Sequence, residues 1–123
     1  MSQAQLGAVV FDCCDPLLLA SFWSVLLDVP IEQSDDDWVD TKAIGGGGMK
    51  LGFPRVPEGK VVKNRLHLDL DVPDLEAWTL VAEELGGRRQ GAIVEEQGDR
   101  FQVMNDPEGN EFCLVCFGED PDE

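Results

Sequence analysis

The chain has 123 residues, enough for one domain with a respectable core or for two small half-domains sharing a sheet. Nine Lys and Arg stand against 25 Asp and Glu, a formal charge of −16, and a surface of that sign repels phosphate backbones and anionic lipid headgroups. Nucleic acid and membrane are therefore poor partners, whereas a cationic small molecule would be attracted.

Met1 to Gln5 lack the basic and apolar regions of a signal peptide, and no apolar run reaches the length of a bilayer span, so a cytoplasmic protein is expected. Leu6 to Cys14, centred on Val9, Val10 and Phe11, reads as a buried strand. Asp15 and Pro16 open a helix, the carboxylate capping free N–H groups and the proline occupying the first turn, with Leu18, Phe22, Val25 and Leu26 as its apolar stripe. Val29-Pro30 stops it.

Extended segments are expected at 31–33, 38–44 and 49–53, with Asp35-Asp36-Asp37 as a hairpin tip and Gly45 to Gly48 as a turn. The four glycines are not a phosphate cradle, since no helix start and no Lys-Ser/Thr pair follow them. Residues 55–64, rich in proline, glycine and basic side chains, read as a linker. The pattern then repeats. Leu66 to Val72 is a strand carrying the only histidine, His67, and Pro73-Asp74 opens a helix with Leu75, Trp78, Ala82 and Leu85 on one face, closed by Gly86-Gly87. Strands at 92–95, 101–105 and 111–117 follow, and Glu119 to Glu123 form an acidic tail.

Each half thus reads strand, helix, strand, strand, strand. Residues 8–15 lie over 67–74 with an offset of 59, and 48–53 over 109–114 with an offset of 61, which an internal duplication explains. Of the four cysteines, Cys13 and Cys14 are adjacent and Cys113 and Cys116 are three apart. On strands both spacings put the side chains on opposite faces, so reduced core thiols are expected rather than a metal knuckle or disulfides.

Phe11 to Pro16, Ala20 to Trp23, Lys63 to Leu70 and Asn105 to Cys113, in this order and spacing, resemble the vicinal oxygen chelate superfamily, which includes glyoxalase I, bleomycin-resistance proteins and extradiol dioxygenases. The resemblance is to its small bacterial glyoxalase-like members. It implies an α+β fold of two βαβββ modules forming a half-open curved barrel around a cleft, here a single domain over 1–123 with module 1 at about 6–54, the linker at 55–64 and module 2 at about 65–118. Homodimers are also implied.

Metal-dependent relatives take ligands of the type His or Gln, Glu, His and Glu from the first and last strands of the modules. The matching positions here are Ala8, Gly52, His67 and Cys113, and only His67 keeps its residue type. No metal or other cofactor is expected; if a divalent metal binds, the donors would be His67, Cys113 and Glu111, which shares strand parity with Cys113. A second chemical reading has His67 lowering the pKa of the Cys113 thiol to make a nucleophile. Asp69 and Asp71 share parity with His67 and could face the cleft or solvent, and Trp38 is a candidate wall against a planar ligand. Trp23 and Trp78 belong in the core. The leading expectation is a small-molecule-binding protein without the full metal site; the alternatives are a metal-dependent lyase, isomerase or dioxygenase using His67, or a domain for protein association.

Overall fold

A computed structural model of the chain describes residues 5–45 and 47–118. The acidic tail at 119–123, residues 1–4 and Gly46 of the glycine turn lie outside the described residues. The chain divides into two compact units, residues 1–59 and 60–123.

The first unit holds β1 (Ala8–Val10), α1 (Pro16–Leu27), β2 (Ile31–Ser34), β3 (Trp38–Thr41) and β4 (Lys50–Pro54). Their sheet runs β1-β4-β3-β2, with β1 parallel to β4 and the other pairs antiparallel. Regular pairing in β1 stops sooner than the apolar run from Leu6 to Cys14 suggests, and Val10 is exposed. The chain nevertheless follows β4 onward, the amides of Phe11 and Cys13 donating to the carbonyls of Gly52 and Pro54.

Asp15 caps α1 by accepting from the Leu18 amide at 3.2 Å, and Asp28 closes the helix in the left-handed region at φ 53°. The buried stripe is Leu19, Phe22, Trp23 and Leu26, while Leu18 and Val25, expected inside, are exposed. Aromatic packing sets this rotation. Trp23 is fully buried 5.1 Å from Phe11, which stacks on Phe53 at 5.3 Å, so the helix turns its aromatic edge to the sheet. Burying such side chains contributes roughly 1.5–3 kcal/mol each. Val39, Thr41, Leu51 and Phe53 form this inner face. By strand alternation, Trp38, Asp40, Lys50 and Gly52 lie on the opposite one.

The second unit holds β5 (Leu68–Asp71), α2 (Leu75–Glu84), β6 (Arg88–Arg89), β7 (Val94–Glu96), β8 (Asp99–Asn105) and β9 (Glu111–Cys116). Its sheet runs β5-β9-β8-β6, and β7 also pairs with β8. The two-residue β6 is absent from the sequence reading. It and β7 pair with successive stretches of β8 and form one edge strand interrupted near Gly91, whose carbonyl accepts from the buried Gln102 side chain at 3.0 Å. Asp74 caps α2 through the Ala77 amide, as Asp15 does α1 at an offset of 59. Trp78 is only half-buried; Leu75, Thr79 and Ala82 face inward.

The parallel pairings also repeat. Val9 partners Leu51 and Val10 partners Gly52 in the first unit, and Leu68 partners Phe112 and Asp69 partners Cys113 in the second, with the offsets of 59 and 61 retained. Between β8 and β9 the fully buried Asp106 builds the turn: its carboxylate accepts from the amides of Glu108 and Asn110, both at 2.9 Å, and Gly109 supplies φ 88°. The Asn-Asp-Pro-Glu-Gly-Asn segment therefore works as a turn that sets the register of β9.

None of the four cysteines is in a disulfide. Cys13 is buried and Cys14 exposed, as their adjacency predicts. No helix among the described residues is long and apolar enough to cross a membrane.

Candidate functional site

On the first sheet, Trp38 and Gly52 meet. A Cβ added to Gly52 would stand 2.7 Å from Cη2 and 3.1 Å from Cζ2 of the indole, so the six-membered ring fills the space that a side chain there would use. The indole Nε1 donates to Asp40 Oδ2 at 2.9 Å, and Lys50 Nζ reaches the same oxygen at 3.1 Å. The Gln33 amide donates to the other carboxylate oxygen at 3.2 Å. Burial pulls the Asp40 carboxyl upward, but the donors from Trp38 and Lys50 outweigh it and hold it below the usual carboxylate range. Sequence reading missed this Asp40–Lys50 pair. Its signal was a charged residue between Val39 and Thr41 in a strand otherwise inviting burial.

On the second sheet, Asp69 of β5 lies beside Cys113 of β9 as its register partner. His67, expected within the strand, immediately precedes it and is exposed, with Nε2 3.1 Å from Asp69 Oδ1. The donor atoms of His67, Asp69 and Cys113 all lie within 4.8 Å of one another. The structure thus brings these three together and leaves Glu111 out. The Glu111 carboxylate instead accepts from Lys60 Nζ at 3.0 Å and from the Asn64 amide at 2.9 Å. Burial raises the Glu111 carboxyl's pKa, but those two donors prevail and keep it low. Strand parity with Cys113 did not make it a third donor, because the segment before β5 folds back onto it.

The nucleophile reading needed His67 to lower the pKa of Cys113. Instead burial, followed by the charge and hydrogen bond of Asp69, pushes the thiol up, with Lys63 pulling weakly the other way. Asp69 is the shared neighbour of imidazole and thiol, so the pair is not arranged for thiolate attack.

Two mixed α+β units, each with a helix over a sheet whose first and last strands run parallel, define the fold class of the glyoxalase, bleomycin-resistance and dioxygenase proteins. The sequence profile of the glyoxalase-like domain matches residues 8–115, and the chain belongs to that family, within the vicinal oxygen chelate superfamily. A glyoxalase/bleomycin resistance protein/dioxygenase family enzyme from Burkholderia phytofirmans is similar at TM-score 0.74 and 18% identity, over 92% of this chain and 98% of its own. Protein ATC0852 from Agrobacterium tumefaciens gives TM-score 0.75 and 16% identity, over 95% and 100%. A glyoxalase-related enzyme from Fulvimarina pelagi gives 0.72 and 11%, over 93% and 88%. No curated protein matches the chain in sequence.

The four-ligand metal centre associated with this superfamily does not fit these residues. Ala8 and Gly52 have no side-chain donor, and the Trp38 ring occupies the room a ligand at Gly52 would need.

Proposed function

We propose that this chain is a small-molecule-binding member of the glyoxalase-like family that works without the superfamily's four-ligand centre. The observation that carries this reading is the Trp38 ring closed over Gly52. Where metal-dependent relatives carry a carboxylate, this protein has an aromatic surface on the sheet face away from α1. Trp38 is half-buried, which leaves part of its ring for stacking, and its orientation is fixed by the Nε1 hydrogen bond to Asp40. A net charge of −16 favours a cationic aromatic ligand, by cation–π attraction and by the field of the whole chain.

A thermal-shift screen of cationic aromatic compounds tests this. Stabilisation is expected to weaken as salt is raised and to be lost in Trp38→Leu. Binding only of neutral compounds, indifferent to salt and to Trp38, would refute it. The second reading, a metal-dependent lyase, isomerase or dioxygenase using His67, draws support from the meeting of His67, Asp69 and Cys113.

A further inference from the structure

We infer that His67, Asp69 and Cys113 form a binding site for a thiophilic divalent cation, with Zn²⁺ as the type, contained wholly within the second unit. The donor set is one imidazole, one carboxylate and one thiol, whose atoms lie within 4.8 Å of one another. Zn²⁺ with bonds of about 2.0–2.3 Å holds tetrahedral donors roughly 3.3–3.8 Å apart, so a small closure around the ion suffices. Three protein donors with a fourth position toward solvent is the arrangement of open zinc sites. Here His67 and Asp69 are both more than half exposed, at 56% and 57% of their side chains, which leaves that fourth direction open.

The backbone supplies part of the preorganisation. Asp69 and Cys113 are held side by side by the β5–β9 register, and His67, at the mouth of β5, is free enough to adjust. Mg²⁺ and Ca²⁺ need more oxygen donors than this cluster has, whereas thiolate and imidazole select zinc-like ions. Glu111 is held by Lys60 and Asn64 and takes no part. His67 and Cys113 stand at two of the positions matching the superfamily's ligands, while Asp69 is a donor outside that set and the first-module positions, Ala8 and Gly52, contribute none. On binding, the thiol releases its proton to solvent and no redox change occurs. The inference rests on the donor cluster and needs neither Trp38 nor catalysis, so its failure leaves the ligand screen untouched, and the reverse.

The test is titration of chelator-treated, full-length protein with Co²⁺, followed by competition with Zn²⁺. One equivalent is expected to give a near-ultraviolet thiolate-to-cobalt band that Zn²⁺ bleaches. Cys113→Ser should abolish the band, and His67→Ala and Asp69→Asn should each weaken affinity at least about 10-fold. Cys116→Ser, Cys14→Ser and Glu111→Gln should leave it unchanged. No binding, a band that survives Cys113→Ser, or affinity indifferent to both His67→Ala and Asp69→Asn overturns the site. Because His67 and Asp69 are exposed, their variants decide the matter should Cys113→Ser fold poorly.

Discussion

At Gly52 the missing side chain lets the Trp38 indole close against β4, and its backbone needs no left-handed conformation, so the cost of filling it is steric. Gly52→Ala should lower unfolding free energy in urea by about 1–3 kcal/mol, and by less than about 1 kcal/mol in a Trp38→Leu background. Equal costs in both backgrounds would show that the ring is not the obstacle. The loss of ligand donors at Ala8 and Gly52 was legible in the sequence, because a residue type cannot supply atoms it lacks. What replaced them was not. Trp38 is fourteen residues from Gly52, and only the β3–β4 pairing lays the two together. The same holds for Asp69, which sequence parity placed near His67 but which became the neighbour of Cys113 through the β5–β9 register.

Helix α1 shows both the strength and the limit of pattern reading at the level of an element. Its start at Asp15-Pro16 was legible because a cap and an N-terminal proline are local chemistry. Its buried face was legible only in part, at Phe22 and Leu26 but not at Leu18 and Val25, since Pro16 to Leu27 is apolar nearly all round and periodicity then carries little directional information. Leu19→Ala should therefore cost about 2–5 kcal/mol, while Leu18→Ala, one residue away and exposed, should stay within about 0.5 kcal/mol. Comparable losses would mean that the helix is rotated from this orientation. The short strand β6 was not legible for a related reason, although β7 beside it was: Arg88-Arg89 has no apolar alternation, and its place is set by pairing to the far end of β8.

At the scale of the molecule, Asp40 in the first unit and Glu111 in the second are carboxylates held low against the pull of burial. A carboxyl group depressed on folding stabilises the native state above its unfolded pKa, and that contribution fades as pH falls through the folded value. Wild type should thus exceed Asp40→Asn in stability at neutral pH, and the two curves should converge as the pH drops below about 4. Urea unfolding at a series of pH values reads this directly; parallel curves down to the acid limit would mean that the charge of Asp40 is not what Trp38 and Lys50 hold.

The sequence alone determined the two-module plan, the helix caps and the absence of half the superfamily's metal ligands, because each depends on composition, local chemistry or an offset between repeats. The tertiary structure alone decided which side chains became neighbours. It put an indole where a ligand would stand, drew Glu111 away to Lys60 and Asn64, and gathered His67, Asp69 and Cys113. Register between strands distant in sequence sets these contacts, and a one-residue slip would have sent each side chain to the other face.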